Sequence, residues 1–121
     1  MTAKELYKLA RHLMQDNMSS RHLDEYYITD INVLLTELFN ENNALRLRAK
    51  KEVLNEVPII VGEDDQIEYE PQMVYNIMPK GLAARFFIDE DDRSKYTIYQ
   101  TEYMNARMMN LPLTHEEGWN V

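Results

Sequence analysis

The sequence predicts an all-α protein, a small bundle of four main helices with a short extended or hairpin connection near residues 57–70. Three observations carry this. Apolar residues recur at helical spacing in four separate stretches. Only 3 Gly and 4 Pro interrupt 121 residues. No repeat, low-complexity tract or Gly/Ser linker divides the chain. A chain of this length can bury on the order of two-thirds of the surface it exposes unfolded, enough for one core and no second. The organisation expected is one helical domain over 1–110 and a tail over 111–121.

The first helix starts at Thr2, with Glu5 three residues later, a capping-box pair in which each side chain satisfies an orphan backbone donor. Leu6, Leu9, Ala10, Leu13 and Met14 form its apolar stripe, and the pattern fades near Asn17. Residues 18–27 have no period and read as a loop. Thr29 and Asp30 then offer a second start before Ile31, Leu34, Leu35, Leu38 and Phe39, the clearest amphipathic helix in the chain. That pattern stops at Asn40–Asn43, and the basic run over 45–52 reads as a frayed continuation, a short extra helix or irregular structure.

Residues 57–70 combine an apolar run, a Gly-acidic turn and the alternation Ile67, Glu68, Tyr69, Glu70, which fits a hairpin or an extended connection. Glu70-Pro71 marks the next start, because proline suits the first helical position and a carboxylate there suits the dipole. Val74, Ile77, Met78, Leu82 and Phe86 follow, with Pro79 and Gly81 inside the pattern, so a kink or one-turn break is expected near Met78. Residues 81–88 are apolar almost all round, as in a helix buried on more than one side. The acidic run Asp89–Asp92 ends this helix and opens the last one, whose inner face carries Tyr96, Tyr99, Tyr103 and Ala106. Pro112 stops that helix, and the tail still holds Leu111, Leu113, Trp119 and Val121.

Composition narrows function by exclusion. With 13 Lys+Arg against 21 Asp+Glu the formal charge is -8. The second half holds most of it, since residues 58–121 carry 5 basic and 12 acidic groups. That balance argues against gripping duplex phosphates or an anionic membrane. Zero cysteines remove disulfides, thiolate metal sites and thiol nucleophiles. The charged N-terminal stretch has no apolar leader core, and no window nears eighteen uninterrupted apolar residues, so a soluble, unprocessed chain in an intracellular or virion setting is expected.

No motif carries chemistry. Asp89–Asp92 suits helix capping better than a cation, and neither it nor Glu63-Asp64-Asp65 has the alternating ligand spacing of a Ca²⁺ loop. His12, His22 and His115 lack the spacing of a zinc helix. Ser19, Ser20 and Ser94 have no nucleophile elbow, and Gly62, Gly81 and Gly118 are isolated, so no loop cradles phosphate. No catalytic residue, metal or cofactor is expected. The basic run Arg46, Arg48, Lys50, Lys51 lacks interleaved aromatics and reads as a solvated face or a salt-bridging strip against an acidic neighbour subunit.

The strongest functional signal is 8 Tyr and 8 Met, types enriched where proteins meet. On the last helix Ile98 and Met109 fall nearly opposite the tyrosine stripe, with Met104 and Met108 between, and one core cannot cover all these directions. Ile98, Met104, Met108 and Met109, with Leu111, Leu113, Trp119 and Val121 of the tail, are therefore the expected partner-binding residues.

The last two helices, with Met78-Pro79, Gly81-Leu82-Ala83-Ala84, Asp89–Asp92, Tyr96 and Tyr103, resemble the C-terminal half of small head–tail connector (adaptor) proteins of tailed bacteriophages and prophages. There a phrase like LPxGLAA precedes an acidic turn and a Tyr-containing closing helix. Residues 31–46 resemble the second helix of such proteins and 55–70 their connecting segment, so the likeness spans about residues 29–110. Met78 stands where the family pattern more often has Leu, and the tail from Leu111 has no counterpart. The resemblance implies a non-enzymatic subunit that joins a ring below the portal, extends the DNA channel and offers a platform for tail components. It further implies contacts with the portal and other head or tail-completion proteins, self-association on assembly, no specific nucleic acid, no membrane, and a virion location after a stay in host cytoplasm. An acidic second half is compatible with a channel wall that does not hold phosphate. The rival reading is an acidic regulatory or DNA-mimic protein that binds a basic partner.

Overall fold

The computed structural model describes residues 1–14 and 21–110, the side chains of 21–24 and 89 excepted. It is all-helical, with α1 (Ala3–Leu13), α2 (Arg21–Glu37), α3 (Phe39–Arg48), a π-helical segment (Gln72–Ile77) running directly into α4 (Met78–Asp89), and α5 (Arg93–Asn110). Among the described residues the only β pairing is an isolated antiparallel bridge between Thr2 and Gln66, so the connection over 57–70 is extended and forms no hairpin.

The helices are arranged around α4. Leu82, Ala83, Ala84, Phe86 and Phe87 are all buried, as the unbroken apolar run requires, and α4 packs against α1, α2, α5 and the π segment. Gly81 permits the closest approach. A Cβ there would lie 2.9 Å from both Leu34 Cδ2 and Tyr103 Cε1. The break expected near Met78 is present and takes the form of the π segment, where the Met78 N–H reaches back to the Met73 carbonyl. Pro79 lacks an N–H and crowds the preceding turn, and a wider turn accommodates it.

α1 starts as the sequence demands. The Thr2 hydroxyl accepts from the Glu5 N–H at 3.1 Å, and the Glu5 carboxylate accepts from the Thr2 N–H at 2.8 Å. Leu6 and Ala10 are buried and Leu9, Leu13 and Met14 half-buried.

The second helix corrects the sequence reading. Residues 21–27 are helical, and Thr29 and Asp30 lie inside α2 instead of starting it. Tyr27 is the reason. It stacks on Tyr7 with ring centroids 4.4 Å apart and extends the buried stripe Ile31, Leu34, Leu35, Leu38 by one turn. Asp30 is buried too, its Oδ1 3.1 Å from Arg85 Nε of α4, so a residue that looks like a cap serves as a tertiary anchor. The open reading over 45–52 resolves as a short extra helix, α3, separated from α2 by Leu38 alone and closed by residues 49–51. Lys50 takes φ 61° there, while the Lys51 N–H bonds the Arg46 carbonyl and the Lys50 N–H that of Leu47, a Schellman closure. Asp91 repeats it after α4 with φ 57°.

Three asparagines hold the strandless connection. Asn32 donates to the Ile60 carbonyl at 2.9 Å and accepts from its N–H at 2.8 Å. Asn43 treats Leu54 in the same way at 3.1 and 2.8 Å, and Asn42 accepts from the Glu70 N–H at 2.8 Å. The amides of Asn32 and Asn43 each donate and accept as a neighbouring strand's peptide would, while Asn42 only accepts. The run Asn40–Asn43, where the apolar period lapses, thus contains two of the three staples.

Two predictions follow from this packing. Gly81→Ala gains helix propensity but overpacks against Leu34 and Tyr103, and is expected to lower the unfolding free energy by about 1–2 kcal/mol in urea titration. The second concerns acid. Glu5 is held below its ordinary 4.5 chiefly by the Thr2 N–H, and Asp65 below its ordinary 3.8 by the N–H groups of Gly62 and then Val61. Carboxylates depressed on folding stabilise above their unfolded values and lose that contribution as pH falls through the folded ones. Both sit where α1 joins the loop, since Ala3 and Lys4 donate to the carbonyls of Asp65 and Glu63. Amide protection at Thr2, Val61 and Gly62, exchange being referred to the unstructured rate at each pH, should therefore fall on acidification below about pH 4 before that of the core amides of α4.

Candidate interaction surface

α5 is positioned by polar contacts along its inner face. Tyr103 is buried against Gly81 and donates its hydroxyl to Glu37 of α2. Burial, and then the Glu37 carboxylate beside it, push this phenol well above its ordinary range, so it remains a donor at any ordinary pH. Arg107 lies over the Tyr103 ring at 5.4 Å and makes a two-point pair with Glu41, Nε to Oε2 at 2.9 Å and Nη2 to Oε1 at 2.5 Å. Near the other end Tyr99 stacks on Phe87 and donates to the Leu13 carbonyl at 3.3 Å. The expected inner stripe is therefore present, with Tyr103 and Ala106 buried and Tyr96 and Tyr99 half-buried.

These contacts fix which side of α5 faces water. Ile98 is 54% exposed, Met104 43%, Met108 63% and Met109 84%. Thr97, Thr101 and Asn105 are exposed beside them. At about 100° per residue these side chains form a face without a single charge, flanked by Lys95 and Glu102 on one edge and Arg93 and Arg107 on the other. Met109 stands slightly apart, at the rim of a groove of about 410 Å³ whose walls include Leu9, Leu13, Tyr75 and Lys80. The structure thus brings Ile98, Met104 and Met108 onto one face and Met109 beside it. Leu111, Leu113, Trp119 and Val121 lie outside the described residues.

Other exposed apolar side chains escaped the sequence reading. Ile59 and Val61 are 75% and 81% exposed on either side of buried Ile60, the alternation of an extended chain. Tyr75 is exposed on the π segment, and Leu47, Val53 and Ile88 are exposed at helix ends or just beyond. Their periodicity resembles that of core residues, and only the register of neighbouring elements separates them.

The charged clusters are engaged in structure. Asp92, within the acidic run expected to cap, caps α5 by accepting from the Lys95 N–H at 3.1 Å. Among the described residues no group of three or more His, Asp or Glu could hold a metal ion. His12 is exposed on α1, the side chain of His22 is not described, and His115 lies outside the described residues. The basic strip is partly turned inward. Arg46 and Lys51 reach the buried Glu70 carboxylate at 3.3 and 3.0 Å, so both serve the fold. No helix among the described residues is long and apolar enough to cross a membrane. Comparison with sequence-family models, characterised proteins and solved structures finds no match.

A contrast between the two sides of α5 is testable. Met104→Gln with Met108→Gln should leave the unfolding free energy within about 0.5 kcal/mol, because both side chains already face water. Tyr103→Phe removes the hydroxyl bond to Glu37, which keeps Arg107 at 3.8 Å and water, and should cost about 1–1.5 kcal/mol. Parallel thermal and urea unfolding of the variants checks this.

Proposed function

We propose that this chain is a non-enzymatic structural subunit of a head–tail connector, joining a ring below a phage portal and contributing to the wall of the DNA channel. The observation that carries the reading is the uncharged outer face of α5, about four turns long, on a chain in which 28% of residues are charged. Helices that meet only water rarely leave such a face free of Lys and Glu, whereas interface centres are depleted of both and enriched in Met. The sequence likeness to connector proteins over about 29–110 agrees with it, and the acidic balance suits a wall past which phosphate slides. The expected partners are the portal, other head or tail-completion proteins and further copies of the chain, in host cytoplasm before assembly and in the virion after it.

A DNA mimic needs a coherent display of carboxylates. Here Asp30 and Glu70 are buried against Arg85, Arg46 and Lys51, Glu37 and Glu41 are bound to α5, and Glu5 and Asp65 hold backbone N–H groups. With these engaged in the fold, the main carboxylate concentration left is the short run over 89–92, which favours the structural reading.

Electron microscopy of particles from cells expressing this chain with the adjacent portal protein is the direct test. Added ring density under the portal vertex, lost when Met104 and Met108 are both replaced by Glu, is the expected result. Particles that lack such density despite abundant folded chain would refute the reading.

A further inference from the structure

The two ends of the helical core carry surfaces that complement each other. At one end, where α4 turns into α5, a groove of about 360 Å³ is lined by Phe87, Ile88, Asp91, Asp92, Arg93, Tyr96 and Thr97. Its floor is apolar, Phe87 being buried, and Ile88 is 49% exposed on its wall. The acids of residues 89–92 outnumber Arg93 and Lys95, and Lys95 is drawn over the Phe87 ring at 5.5 Å, so the turn is net negative. At the other end α3 closes with Leu47, 63% exposed, followed by Lys50 in the left-handed region and Lys51, with Val53 39% exposed just beyond. Arg46, Arg48, Lys50 and Lys51 outnumber Glu52 and Glu70 there, so this end is net positive.

The fold keeps these surfaces apart. Glu70 binds Arg46 and Lys51 at the start of the rod that runs from Gln72 to Asp89, and the acidic turn lies at its finish. At up to 1.5 Å per residue the separation is roughly 25 Å, so one copy cannot join its own two ends.

We propose that this groove of one copy receives the α3 terminus of a second copy, with Leu47 against Phe87 and Ile88 and Lys50 facing Asp91. Such a contact is heterologous. Repeated head to tail, it closes a ring if the rotation per copy closes, and otherwise extends as a filament. It deepens the connector reading, on which it rests, by naming the surfaces that join neighbouring subunits, and it leaves the outer face of α5 to other proteins.

The absence of cysteine in the sequence allows a direct test. Leu47→Cys and Ile88→Cys are made in separate full-length chains, mixed at high concentration and oxidised. The expected product is the mixed Leu47→Cys to Ile88→Cys disulfide, several-fold beyond its statistical share over the two self-pairings, and reduced by high salt. Lys50→Glu in the first chain should abolish the excess and Asp91→Lys in the second restore it, the latter tolerable because Lys50 already adopts the same backbone conformation. A statistical mixture of the three disulfides from folded variants would overturn the contact. If that mixture accompanies ring density under the portal, the contact fails and the connector reading survives. Specific pairing without such density supports the contact and refutes the portal reading.

Discussion

The constraint on which this fold depends is the apolar circumference of α4. A helix that presents Leu82, Ala83, Ala84, Phe86 and Phe87 around its axis has no side to offer water, so other elements must surround it. α1, α2 and α5 do so, and Gly81 sets how closely α2 and α5 approach. The charged residue within this run, Arg85, meets the buried Asp30 of α2. The pair joins α2 to α4 through a carboxylate that burial would otherwise disfavour.

A second requirement is the long route from α3 back to the start of the π segment. That stretch has no strand to pair with, and its peptide groups need partners. Asn32, Asn42 and Asn43 supply them from the helices. Glu70 ends the stretch with its carboxylate under Arg46 and Lys51 and its carbonyl accepting from Met73 and Val74. The connection is therefore ordered by side chains that composition alone would assign to solvent.

The same arrangement determines which surfaces remain available. Once Tyr103, Glu37, Glu41 and Arg107 fix α5, its opposite face is committed to the exterior with its methionines and without charges. The ends of the core differ in sign because Schellman closures, centred on Lys50 and Asp91, expose a basic and an acidic segment at opposite poles. Charge asymmetry of this kind favours head-to-tail association over symmetric pairing, which would bring like surfaces together.

Sequence by itself determined the all-helical class, the Thr2–Glu5 cap, the irregularity before Pro79, the buried run from Gly81, the capping role of the acidic turn and the outward methionines of α5. All of these rest on local chemistry or on a period counted within one element. Tertiary structure decided the remainder. Residues 21–27 join α2 because Tyr27 finds Tyr7, and Asp30 enters a helix interior because Arg85 waits on another helix. Residues 39–48 become helical while their asparagines serve a segment up to 28 residues away along the chain. Contacts between residues distant in the chain leave no periodic trace, and a polar side chain that bonds a remote backbone has the same local pattern as one that bonds water.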